Sequence, residues 1–252
     1  MKKARIEVDG QTLDVSVAGD GSFRLAGGEP FEPRAWRWLP PAHTIIYGLA
    51  LNFADHAREL KFAELPTEPI PFIKNPSSIV GHLSEVVRPA GVRYMHYEGE
   101  LGVVIGRAAR RVSREEAMDY VSGYTICNDF TVRDFVGNFY RPPIKAKGFD
   151  TFGPVGPWIV DAADIADPHE MSIQTRVNGE LRQDGNTRDL IFDIPTLIEW
   201  FSGFMTLAPG SIISTGTPHG LSDVKPGDTV EVRIEGIGSL VNPIVGELTW
   251  RS

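Results

Sequence analysis

Residues 94–106 read YMHYEGELGVVIG, with two glutamates, Glu98 and Glu100, one residue apart at the mouth of an otherwise apolar run. In a strand, residues i and i+2 face the same side with Cα atoms roughly 6.5 Å apart. Glu98 and Glu100 therefore point one way, and Tyr97 and Leu101 the other. Two like charges converging at a partly buried site repel, and one takes up a proton unless a cation binds both. Hard divalent cations such as Mg²⁺, Mn²⁺ or Ca²⁺ prefer carboxylate oxygen. A third carboxylate, Asp129, stands where a following strand, GYTICNDF, ends. Taken alone, E-x-E reads more simply as an exposed edge strand with two solvated glutamates.

Outward from this stretch, strand signals outnumber helix signals. ARIEV and LDVSV alternate across DGQT as a hairpin, and residues 1–45 read as a small N-terminal β module. The Pro-rich WRWLPPAHT reads as a linker into a second unit, residues 46–252. IIYGLALN reads as a short buried strand, PFIKNPSSIVG as a strand or loop broken by proline, and TVEVRIEG as an alternating strand. Two helices are expected. One starts at VSREEAMDYVSGY, where Ser113 and Glu116 form a capping box and Gly123 can stop it. The other is DIPTLIEWFSGF, with Asp193 as N-cap and Pro195 in the first turn. Regular β–α alternation is missing, so the pattern predicts a mostly-β α+β fold with a few flanking helices.

Composition excludes several classes. The apolar fraction of 42% and charged fraction of 23% are those of an ordinary globular chain. The net charge of −8, with no Lys/Arg tract, argues against nucleic acid as a partner. Cys127 is the single cysteine, which excludes an internal disulfide and fits a reducing cytoplasm. The N-terminal MKKARIEVDGQTLDVSV reads as a polar strand rather than a signal peptide, and no apolar run is long enough to predict a membrane span.

Other chemistry-bearing groups are local. In LNFADHAREL, a helix would put His56 and Glu59 on one face, and a histidine oriented by a carboxylate suits acid–base work near neutral pH. A surface helix laced with charges explains the segment equally well. Lys147, in KAKGFDTFGPVGP, lies before a glycine amid turns; a lysine snorkelling from a strand edge has comparable weight. Zinc spacings, a G-x-S-x-G elbow and a Walker loop are absent, and glycosidase acids would sit on separate elements across a cleft. Cys127 reads most simply as a small core residue, with a thiol nucleophile as the lesser alternative.

Six motifs in order, LNFADHAREL, YEGELGVVIG, GYTICNDFTVRD, KGFDTFGPVGP, NGELRQDGNTRDLIFDIPTLI and LAPGSIISTGTPHG, resemble the fumarylacetoacetate hydrolase family. YMHYEGEL, AMDYVSGYTICNDF, FYRP and GLSDVKPGD resemble its homoprotocatechuate (4-hydroxyphenylacetate) branch, and so does Val136, where many relatives carry glutamine. The resemblance implies a β-roll fold and one divalent cation, Mg²⁺ or Mn²⁺ with Ca²⁺ as a substitute, held by Glu98, Glu100 and Asp129. It further implies Lys147 in the site, Gly216 and Thr217 on the substrate, an active-site lid around 52–66 bearing His56 and Glu59, and a homodimer. The expected reaction is decarboxylation or isomerisation of a 2-oxo acid. C–C hydrolysis of an acylpyruvate, oxaloacetate decarboxylation and a non-catalytic metal-stabilised module are the alternatives. Arg133, Arg141 and Lys74 are candidates for a distal substrate carboxylate.

Overall fold

Alternating or continuous apolar runs become strands. The computed structural model describes residues 1–42, 45–61, 64–137 and 142–247. Its longer strands are β1 (Lys2–Val8), β2 (Gln11–Val17), β3 (Ile46–Ala50), β4 (Ile70–Lys74), β5 (Gly99–Ile105), β6 (Val121–Asn128), β7 (Gly153–Asp161), β8 (Ser172–Val177), β9 (Glu180–Asn186), β10 (Ile212–Ser214), β11 (Thr229–Ile234) and β12 (Gly238–Gly246). Helices α1 (Ala54–Glu59), α2 (Ile144–Lys147) and α3 (Ile194–Phe204) flank them, and the class is mostly-β α+β.

The larger sheet runs β2-β1-β7-β6-β5-β10-β3-β4, extended beyond β2 by Phe23–Arg24 and then Pro30–Phe31. A smaller sheet runs β9-β8-β11-β12 and ends on Val86–Arg88. Leu101, Val103 and Ile105 of β5 share one core with Ile173, Val232 and Leu240 of the smaller sheet and with Leu197, Ile198 and Phe201 of α3. Each such side chain contributes about 1.5–3 kcal/mol on burial. On its other face β5 places Val104 with Ile46, Cys127, Val155 and Ile212. All seven β5 residues are therefore buried, which is why its sequence is apolar throughout except at Glu100.

The α3 signals are realised: the Asp193 carboxylate accepts the Thr196 N–H at 3.0 Å, and Ile194, Leu197, Ile198 and Phe201 are buried. The helix expected from VSREEAMDYVSGY is not formed. Ala117–Tyr120 make one 3₁₀ turn, β6 begins at Val121, and Gly123 lies in the strand, paired with Asp161 of β7. Ser113 Oγ meets the Glu116 carboxylate at 3.3 Å, and no side chain caps the turn. Pairing with β5 and β7 on both sides outweighs the local helical spacing.

The N-terminal hairpin turns at Asp9–Gly10 and has its own apolar cluster of Ala4, Ile6, Val15, Val17 and Phe23. It joins the larger sheet where Lys2 and Lys3 pair with Val160 and Ile159 of β7. Within the expected linker, Arg37–Leu39 form a strand against β1 instead. Trp38 is fixed there by edge-on contacts with Phe23, His82 and Trp158.

Candidate active site

β5 lies between β6 and β10, and both neighbours deliver groups to its acidic end. β6 stops at Asn128, and the next N–H, of Asp129, donates to Glu98 O at 2.9 Å. That bond ties the two strand ends together. One ligand oxygen from each of Glu98, Glu100 and Asp129 then lies within 4.8 Å of the others, and all three residues are buried. At the end of β10 and just past it, Ser214 Oγ and the Gly216 N–H donate to Glu100 Oε2 at 2.6 and 3.0 Å. Glu100 Oε1 is buried and has no hydrogen-bond partner among the described residues. Behind the pair, a Cβ on Gly99 would lie 2.5 Å from Thr175 Oγ1 and 2.9 Å from Val232 Cγ1, so only glycine fits between the glutamates.

Two buried ammonium groups face the triad. Lys147, at the end of α2, donates to Glu98 Oε2 and Thr131 Oγ1, each at 2.9 Å, and to Asp129 Oδ2. Burial would lower its pKa, but Asp129 and Glu98 outweigh burial and raise it. Lys74, at the end of β4, donates to Asp129 Oδ1 at 2.5 Å, Lys147 O at 2.6 Å and Phe152 O at 2.8 Å. Burial, only partly countered by Asp129, lowers its pKa. The glutamates diverge. Burial raises Glu98, but Lys147 and two histidines outweigh it and hold it well below the usual range. Burial and the charges of Asp129 and Glu98 raise Glu100. All-oxygen donors, an orphan carboxylate oxygen and like charges in contact fit a hard divalent cation.

α1 brings His56, paired with Glu59, to the pocket that Glu98 and Lys147 line. His56 Nδ1 lies 3.2 Å from Glu59 Oε2, and the histidine is buried. Burial raises the Glu59 carboxyl, but hydrogen bonds from His56 and the Gly220 and Leu221 N–H groups outweigh it and lower the pKa. The α1 entrance is anchored by Asn52, which bonds Thr215 O, Phe192 O and Phe192 N at 2.8, 3.1 and 2.8 Å. His56, Glu98, Arg133, Lys147 and Thr217 line one pocket whose other walls are mainly apolar, including Leu49, Ile70 and Phe72.

The structure thus brings together Glu98, Glu100, Asp129, Lys147, His56 and Glu59. Arg133 lines the pocket, and its Nη2 is buried with no hydrogen-bond partner among the described residues. Thr217 lines it too, with Oγ1 donating to Gly99 O at 3.0 Å, whereas Gly216 contributes its N–H to Glu100. Lys74 does not line this pocket: all three of its N–H groups are engaged inside the protein, so it is placed to hold Asp129 rather than a substrate carboxylate. Arg141 lies outside the described residues, as do residues 62–63 of the expected lid. Cys127 is buried, and burial pushes its thiol up to about 12, as suits a core residue. Sequence reading missed Gln183, whose side chain accepts the Gly99 N–H at 3.1 Å and donates to Thr217 Oγ1 at 2.9 Å. It also missed Ser214, although both stand inside motifs already singled out.

Fold and site define a mostly-β protein with an all-carboxylate centre beside a lysine and a histidine–glutamate pair. The chain belongs to the fumarylacetoacetate hydrolase family: the pattern described as Fumarylacetoacetate (FAA) hydrolase C-terminal matches residues 45–245. It is 54% identical over 214 residues to a 4-hydroxyphenylacetate degradation bifunctional isomerase/decarboxylase of Salmonella dublin, covering 85% of this chain and 50% of that one. The chain therefore spans about half the length of that curated relative. Among solved structures, a 5-carboxymethyl-2-hydroxymuconate delta-isomerase from Mycobacterium smegmatis superposes with TM-score 0.86 at 38% identity, covering 98% of this chain and 99% of that one. A maleylpyruvate hydrolase from Sphingobium sp. SYK-6, in complex with manganese (II) ion and pyruvate, superposes with TM-score 0.82 at 30% identity, covering 98% and 99%.

Proposed function

We propose that this chain is a divalent-cation-dependent enzyme acting on 2-oxo (dienol) di- and tricarboxylic acids in 4-hydroxyphenylacetate (homoprotocatechuate) catabolism. The reactions are isomerisation of 2-hydroxyhepta-2,4-diene-1,7-dioate and/or decarboxylation of 5-oxopent-3-ene-1,2,5-tricarboxylate. The observation that carries this is one pocket shared by a triad carboxylate, Glu98, with Lys147 and His56. The names of the Salmonella and mycobacterial relatives support the substrate class.

Glu98, Glu100 and Asp129 would hold one Mg²⁺ or Mn²⁺, with Ca²⁺ as a substitute. When bound, such an ion polarises a keto oxygen and orients the carboxylate beside it. Lys147 brings a fixed positive charge to the oxygen on which enolate charge develops, and apolar walls strengthen that interaction. His56 has Nδ1 on Glu59, which leaves Nε2 to carry a proton along the dienol. The free Arg133 guanidinium nitrogen would take the distal carboxylate, and Thr217 would contact substrate from the opposite loop.

The chain with Mg²⁺ or Mn²⁺, each substrate class in turn, and parallel readouts of CO₂ release and diene absorbance test the reading. Turnover of acylpyruvates alone would overturn it in favour of C–C hydrolysis, with His56–Glu59 activating water. The likeness to the maleylpyruvate hydrolase supports that second reading. Glu98→Ala, Lys147→Ala and His56→Ala should each abolish or sharply reduce turnover; activity unchanged in all three, with normal folding, rejects the site.

The same reading places the enzyme in the cytoplasm; among the described residues no helix is long and apolar enough to cross a membrane. It also makes the enzyme a homodimer. Ile73 and Ile144, exposed to 56% and 70%, line one apolar groove with exposed Phe204, and a second copy would cover it. Sedimentation of Ile73→Glu against the parent chain tests this; a dimer undisturbed by the charge would place the contact elsewhere.

A further inference from the structure

A line of hydrogen bonds runs from the strand end bearing the carboxylates to the helix bearing His56. Tyr97, the residue before Glu98, turns its ring into the apolar cluster of Met95, Phe130 and Phe152 and is fully buried. Its hydroxyl donates to Gly220 O at 2.8 Å and lies 2.8 Å from Ser222 Oγ. From the same turn, the Gly220 and Leu221 N–H groups donate to Glu59 Oε1 at 3.0 and 3.1 Å. Glu59 Oε2 is left for His56 Nδ1. Gly220 has φ +107°, and a Cβ there would lie 2.1 Å from Arg182 O, so only glycine can aim this N–H. A second grip lies one turn earlier on the helix. Asp55 Oδ2 meets His219 Nδ1 at 2.6 Å, while Asp55 Oδ1 accepts the His56 N–H at 2.7 Å.

We propose that the 219–222 turn is a cradle that sets the orientation of the His56–Glu59 pair, with Tyr97 its buried positioning residue and His219 its exposed one. α1 has six residues, too few to hold a helix by itself, so its placement depends on what it docks against. Two N–H groups on one carboxylate oxygen confine the Glu59 rotamer, and through Glu59 they select the tautomer of His56 with Nδ1–H toward the carboxylate. The Tyr97 hydroxyl fixes the turn that presents those N–H groups. Since Tyr97 and Glu98 are consecutive, the acid–base pair and the carboxylate triad are set relative to one another by one short stretch of chain.

The test uses the full chain with Tyr97→Phe, which keeps the buried ring, and His219→Ala. Its activity arm rests on the function proposed above, whereas its exchange arm does not. Loss of these hydrogen bonds, two at Tyr97 and one at His219, predicts amide exchange over 54–60 at least about fivefold faster in each variant. It also predicts a roughly fivefold lower kcat for isomerisation at nearly constant KM. Mn²⁺ affinity, titrated directly, stays within about twofold of the parent value, because no triad ligand is touched. Unchanged exchange in both variants overturns the cradle, and so does a kcat loss that merely follows a loss of Mn²⁺ affinity. If Tyr97→Phe folds poorly, Ser222→Ala and His219→Ala decide by the same exchange measurement. A parent chain that isomerises nothing refutes the proposed function and leaves the exchange result to decide the cradle.

Discussion

Lys147→Met in metal-free protein perturbs the site most directly. The ammonium reaches Glu98 Oε2 and Thr131 Oγ1 at 2.9 Å and also bonds Asp129 Oδ2. Without it, Lys74 is the remaining buried lysine against three buried carboxylates. Removing one partner of a buried ion pair costs about 3–5 kcal/mol. Methionine is of similar length and adaptable, so little of that cost is cavity. At about 2–4 °C per kcal/mol for a chain of this size, Tm should fall by roughly 6–20 °C in EDTA. A divalent cation restores the missing charge, and at a hundred times its Kd it stabilises the parent chain by about 2.7 kcal/mol. The variant should gain more, because no ammonium competes for the same oxygens. Urea denaturation of both proteins, with EDTA and with Mn²⁺, measures the two differences. A deficit below about 1 kcal/mol in EDTA, or one that Mn²⁺ leaves unchanged, would refute the charge accounting.

Three further outcomes are expected. Because Glu100 is raised by burial and by its two acidic neighbours, it retains its proton to higher pH than an ordinary glutamate, and cation binding must release that proton. Mn²⁺ affinity should therefore climb with pH, by up to about tenfold per unit while Glu100 is protonated, and a flat profile contradicts this. Asp193→Ala removes the α3 N-cap and should cost about 1 kcal/mol. Burial raises the Asp193 carboxyl, but Arg114 and Thr196 outweigh it and hold it at about 2. A depressed pKa contributes stability above the unfolded value, lost as pH falls through the folded one. The deficit measured by urea midpoints should therefore shrink on acidification toward pH 2. Gly99→Ala forces a methyl group against Thr175 and Val232, costing about 1–3 kcal/mol and weakening Mn²⁺ binding as Glu98 and Glu100 shift. A variant that matches the parent in both stability and Mn²⁺ titration would reject the close packing.

What the sequence made legible was local. β5 could be read because burial on both faces leaves an apolar run from Leu101 to Ile105, and α3 because its cap and its spacing agree. Strand alternation pairs Glu98 with Glu100, but E-x-E alone fits solvated glutamates better, and it is the family resemblance that singles out the set with Asp129. The 113–123 segment misled because Ala117 and Val121 share a face in a helix and also fit a tight turn entering a strand. The choice was made by β7, which flanks β6 and comes later in the chain. Lys74 looked like a free cation because nothing near it in sequence shows its amine reaching Asp129, 55 residues away. Gln183 was invisible for the same reason: it meets Gly99 across 84 residues, through contact between two sheets.

The order of strands in the larger sheet has a consequence for how copies of this chain meet in concentrated solution. A bare strand edge invites pairing by another chain. One end of this sheet closes on Pro30–Phe31, two residues long and starting with a proline that offers no N–H. The other end is β4, where Pro71 likewise interrupts the row of donors between Ile70 and Phe72. Each margin thus has a gap in its donors that works against a regular ladder. Growth of the sheet into fibres is disfavoured at both ends, and contact through β4 falls more readily to exposed side chains such as Ile73.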